Sequence, residues 1–112
     1  MPLAVTDVDV LQEYIRGVME RAEHHAGNIT EICLAIAGAV IWRKDGDIQV
    51  YEREGQMANA LWIHINGQRY AILYNHDAGT IEVHQDSMRG NTLTSFDNSD
   101  TTADVRRFFD SL

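Results

Sequence analysis

The sequence predicts an α+β fold: N-terminal helices, an antiparallel meander of four to five strands, and a C-terminal helix packed on one face of the sheet. Three observations carry this expectation. Apolar residues recur at helical spacing near both ends, they alternate through the middle, and Asp-Gly and Asn-Gly pairs punctuate that middle as hairpin turns do. A chain of 112 residues has room for one core, so a single domain over residues 1–112 is expected.

From Thr6 onward Val10, Leu11, Tyr14, Ile15, Val18, Met19 and Ala22 form an apolar stripe, with Gln12, Glu13, Arg16, Glu20 and Glu23 opposite. Thr6 with Asp9 resembles a capping box and Gly27 is placed to end the helix, which should span about residues 7–26. Asn28 followed by Glu31 offers a second cap. Ile29, Ile32, Cys33, Ile36 and Ala37 then support a short helix to Gly38. Ile32, Leu34 and Ile36 would also alternate as a strand, but the cap and the Ala and Leu content favour helix. Val40–Trp42 reads as a strand, paired through an Asp45-Gly46 turn with Ile48–Arg53, and residues 54–59 read as a polar connection.

Asn66-Gly67 sets a register outright. Ile65 should oppose Gln68, His64 Arg69, Ile63 Tyr70, Trp62 Ala71 and Leu61 Ile72, so that Leu61, Ile63, Ile65, Tyr70 and Ile72 share the core face. After a loop at His76–Gly79, the strand Thr80–Gln85 should place Tyr74 by Ile81 and Ile72 by Val83. Asp86–Asn91 reads as a loop and Leu93–Phe96 as a short last strand. Thr101 with Asp104 caps a terminal helix whose stripe is Val105, Phe108, Phe109 and Leu112.

Composition narrows function without naming it. The chain is 45% hydrophobic and 23% charged with one Pro, which excludes collagen-like, low-complexity and disordered chains. Nine basic against 17 acidic residues leave a net charge of -8, and the longest basic clusters are the pairs Arg43-Lys44 and Arg106-Arg107. That field repels phosphates, so nucleic acid is not the expected partner; a basic protein, as for an immunity-like binder, or an organic cation suits it better. The lone Cys33 lies in an apolar run, which forbids an intrachain disulfide and makes an inert thiol, and a cytoplasmic location is expected. Nothing at the N-terminus reads as a signal peptide, and the run Cys33–Trp42 is too short to span a bilayer, so no membrane association is expected. His24 and His25 are adjacent on a helix and diverge; no metal or other cofactor is expected.

The face opposite the core is the suspicious one. The register assigns it Trp62, His64, Arg69, Ala71, Leu73, Glu82 and His84. A Trp offering flat apolar area beside His and Arg hydrogen-bonding groups suits either an interface between copies of the chain or a pocket for a small molecule. A third reading is a small enzyme of unknown class, with His84 as general base oriented by Glu82 or Asp77 and Arg69 holding an anionic group. An inert, solvated face is the fourth.

The segments Gln68–Asn75, Gly79–Val83, Leu93–Asn98 and Phe108–Leu112, together with size, acidity and element order, resemble the small orphan α+β proteins encoded by mobile integron gene cassettes. The resemblance implies a bacterial cytoplasmic, oligomeric protein and transfers no site residue. The reading is a self-associating binding module for a small molecule or a protein.

Overall fold

A computed structural model describes residues 7–24, 29–53, 56–75 and 77–112. In chain order the elements are α1 (Asp7–His24), α2 (Thr30–Arg43), β1 (Asp45–Arg53), β2 (Gln56–Ile65), β3 (Gln68–Asn75), β4 (Thr80–Gln85), β5 (Thr92–Phe96) and α3 (Thr102–Asp110). The strands form one antiparallel sheet in the order β1-β2-β3-β4-β5. This is the α+β fold expected, with three helices and five strands among the described residues.

The central hairpin is as the turn chemistry requires. Asn66 and Gly67 take positive φ of 52° and 79°, the left-handed values a two-residue turn of this hand demands. The five β2–β3 pairs and the Tyr74–Ile81 and Ile72–Val83 pairs occur in the expected register. One face of β2, β3 and β4 therefore presents Leu61, Ile63, Ile65, Tyr70, Ile72, Tyr74, Ile81 and Val83, all buried. Each such side chain contributes about 1.5–3 kcal/mol on leaving water.

The helices cover this inner face. Leu11, Tyr14, Ile15 and Val18 of α1, Ile32, Cys33, Ile36 and Val40 of α2, and Val105 and Phe109 of α3 join the same cluster. The Tyr14 hydroxyl donates to the Ile72 carbonyl at 3.3 Å, which satisfies a polar group carried into the core. Burial pushes the Tyr14 phenol well above its usual range and the Cys33 thiol up to about 11, so Cys33 is the structural residue its neighbours suggest.

Three expectations are corrected. Val40–Trp42 is not a strand: α2 continues to Arg43, because Val40 extends the stripe Ile32, Cys33, Ile36 into the core and is fully buried there. Tertiary burial outweighs the strand preference of Val, Ile and Trp. Asp45-Gly46 is consequently not a hairpin turn. Asp45 pairs with His64 at the start of β1, while its carboxylate accepts from the Asn66 backbone N–H at 2.8 Å. The polar connection is also shorter than residues 54–59, since β2 begins at Gln56 and pairs with β1 from Arg53↔Gln56 outward.

Helix ends follow their chemistry unevenly. The Thr101–Asp104 capping box forms in both directions. Thr6, Gly27 and Asn28 lie outside the described residues, but the N-cap of α2 is Ile29, which offers no side-chain hydrogen bond. Its place is taken from a distance: Asn98 Oδ1 accepts from the Ile32 N–H at 3.0 Å and Asn98 Nδ2 donates to Glu31.

Candidate functional site

Alternation along the strands sends Trp62 and His64 of β2, Arg69, Ala71 and Leu73 of β3, and Glu82 and His84 of β4 to the outer face, as the sequence register requires. Trp62, Ala71 and His84 form a row across the three central strands, Trp62↔Ala71 and Ala71↔His84. Ala71 has no exposed surface, because its larger neighbours close over the methyl group.

Arg69 lies over the Trp62 indole, its guanidinium carbon 5.3 Å from the ring centroid. Tyr51 meets the same ring edge-on at 6.2 Å. Trp62 is therefore half-buried rather than an open platform. On the other side of Ala71, His84 Nε2 is 2.8 Å from Glu82 Oε1 and 3.2 Å from Thr92 Oγ1. Asn75 Nδ2 donates to Glu82 Oε2 at 3.0 Å, so both carboxylate oxygens are engaged.

These contacts set the chemistry. Hydrogen bonds from His84 first, then from Asn75, hold the Glu82 carboxyl below its usual range against a smaller opposing effect of burial. An ionised carboxylate only accepts, so Nε2 of His84 carries the hydrogen, with Thr92 Oγ1 as its secondary acceptor. His84 is thereby oriented with Nδ1 as its second functional nitrogen.

Nδ1 of His84, Nε1 of Trp62 and Nε of Arg69 are buried and have no hydrogen-bond partner among the described residues. Two of the three are obligatory donors, and each buried group left unpaired costs about 1–3 kcal/mol. These three nitrogens beside one buried methyl, with Thr80 Oγ1 as a fourth such atom at the start of β4, form the outstanding polar feature of the outer layer.

The remaining expected residues are placed more loosely. His64 is exposed next to the turn, opposite Arg69. Leu73 is half-buried between Ala60 and Glu82. Asp77 is exposed, and its backbone N–H donates to Asn75, so orientation of His84 falls to Glu82. Tyr51, Asn75 and Thr92 belong to the cluster and escape the sequence reading. Asn75 continues the alternation Ala71, Leu73 and could be found that way. Tyr51 requires the β1–β2 pairing, and Thr92 sits beyond a register shift between Val83 and His84.

Among the described residues no three His, Cys, Asp or Glu side chains gather as a metal site needs, and no helix is long and apolar enough to cross a membrane. Residues 11–106 match the model of a family described as integron cassette protein VCH_CASS1 chain. The chain belongs to this integron cassette family. The match runs from the second turn of α1 into α3 and so includes the whole sheet and every residue of the outer-face cluster. Comparison with curated proteins finds no match. Membership of the integron cassette family thus places the chain in a group without supplying a reaction or ligand.

Proposed function

We propose that this integron cassette protein is a binding module for a small organic molecule, seated on the outer face of the sheet over Ala71. The supporting observation is the trio of buried, unpartnered nitrogens on Trp62, Arg69 and His84. Trp62 Nε1–H and Arg69 Nε–H call for an acceptor oxygen, and Nδ1 of His84, in the tautomer that carries its hydrogen on Nε2, calls for a donor. A planar molecule with a carbonyl or carboxylate oxygen next to an N–H or O–H satisfies all three. Binding exchanges the Arg69–Trp62 stacking, worth about 0.5–1 kcal/mol, for stacking of the ligand on the indole.

Interface formation is the weaker reading of this face. Among the described residues its exposed large hydrophobics are Tyr51 and Leu93, on the opposite edge strands β1 and β5, which do not make a continuous apolar patch. The Asn75–Glu82–His84 chain favours catalysis as a second reading, with Nδ1 as proton acceptor. Native mass spectrometry of the purified protein, followed by thermal-shift screening of small carboxylic acids and amides, tests the binding reading. A ligand that stabilises the wild type but neither Trp62→Phe nor His84→Ala supports it. A stabilising ligand indifferent to both substitutions contradicts it, and turnover of the ligand lost in His84→Ala but kept in Arg69→Ala selects the catalytic reading.

A further inference from the structure

We propose that the outward side of α2 is the docking surface for a second copy of this chain, α2 lying antiparallel on α2. The site is separate from the outer sheet face and lies on the opposite side of the molecule.

From Ile32 to Trp42 every residue of α2 is apolar or glycine. Only Ile32, Cys33, Ile36, Ala39 and Val40 are buried, while Leu34, Ile41 and Trp42 are 54%, 50% and 54% exposed. A helix apolar on all sides belongs in an interior, and half of this one faces outward. With Val8 of α1, 39% exposed, these side chains offer about 400 Å² of apolar surface, the size of the largest patch on a typical monomer, which is often functional. That is half of the ~800 Å² each partner buries in a standard interface, the flanking grooves and polar rim being the source of the rest.

The surface has the shape of a ridge between two slots. A groove of about 440 Å³ runs between α1 and α2, lined by Val8, Ile15, Met19, Leu34 and Ile41. Another of about 250 Å³ runs between α2 and α3, beside Ala35, Trp42 and Val105. A Cβ added at Gly38 would meet nothing within 4 Å, so a second helix can approach closely there.

The pattern is self-complementary in the antiparallel sense only. A two-fold axis over the Ala37–Gly38 peptide puts Leu34 of each copy against Ile41 of the other. It also sets the acidic start of the helix, Glu31, against the basic end at Lys44, and opposes the helix dipoles. A parallel arrangement would place like charges together. A membrane is the poorer occupant, because anionic headgroups repel a chain of net charge -8, and the grooves beside the ridge hold one basic residue each, Arg16 and Arg106, too few for a polybasic patch.

Sedimentation velocity on the full chain tests this. The wild type is expected at twice 12.7 kDa, and Leu34→Glu and Ile41→Lys as folded monomers. Mixing the two variants should restore a dimer, since Glu at 34 of one copy then faces Lys at 41 of the other. Trp62→Arg should remain dimeric. A wild type that stays monomeric at about 100 μM, a hundredfold above a micromolar dissociation constant, overturns the proposal. So does a Leu34→Glu dimer, a mixture that fails to associate, or dissociation by Trp62→Arg alone. Circular dichroism of each variant separates loss of assembly from loss of fold.

Discussion

His84 donates its Nε2 hydrogen to Glu82 two residues earlier on the same strand, at 2.8 Å, on a sheet face that no described helix covers. The contact keeps Glu82 ionised below its usual range. A carboxyl depressed in the folded state adds stability that is present above its unfolded value, near 4.5, and is lost as pH falls through the lower folded value. Glu82→Gln should therefore cost about 1 kcal/mol at pH 7, the difference shrinking only as pH falls below 4.5 and through the lowered folded value. Urea melts of both proteins across that range check this; a difference constant with pH would rule it out.

Arg43 ties the end of α2 to the end of the chain. Its guanidinium donates to the carbonyls of Phe109, Asp110 and Leu112 at 2.7, 3.1 and 3.0 Å. The Phe109 carbonyl also accepts from the Leu112 N–H at 3.3 Å and the Leu112 carbonyl from Asn66 Nδ2 at 2.9 Å, so Arg43 shares in closing a helix end whose last carbonyls lack i+4 donors. Arg43→Met should destabilise by about 1.5–3 kcal/mol and speed amide exchange in the last turn of α3. Unchanged exchange at residues 108–112 would show that the helix end holds without it.

Asn98 caps a helix from 66 residues beyond the amide it receives, the Ile32 N–H. Asn98→Ala removes the acceptor for the Ile32 N–H and should cost about 1 kcal/mol, with faster exchange of the Ile32 amide.

Gly90 closes the β4–β5 loop against backbone. A Cβ there would fall 1.7 Å from the Gln85 carbonyl oxygen, which cannot swing away as a side chain can. Gly90→Ala should lower stability by about 2 kcal/mol or more, measured by thermal melting. A neutral effect would mean that the loop shifts freely.

The sheet was the most legible part of the molecule because its information is local. Asn66-Gly67 defines one register, strict alternation carries it across β2, β3 and β4, and the outer-face row Trp62, Ala71, His84 follows without further input. What escaped depends on contacts distant in sequence. The strand propensity of Val40–Trp42 lost to burial of Val40, and with that error β1 acquired the wrong partner and Tyr51 vanished from the site. The cap of α2 comes from Asn98, which no reading of residues 28–31 could reveal. A register shift beside His84 hid Thr92. The apolar run through α2 was noticed for being too short to span a bilayer, while its outward half became visible only once the helix had a buried side.

The most direct measurement is a ¹⁵N-labelled spectrum of the two tryptophan indoles while small carboxylates and amides are titrated into the protein. Trp62 Nε1–H is buried without a partner, whereas Trp42 is exposed on α2. A ligand on the outer face should move the Trp62 indole downfield as it gains an acceptor, shift the His84 ring signals with it, and leave Trp42 in place. If the Trp62 indole stays unmoved while ligands that stabilise the fold shift other signals, the outer face is not the binding site.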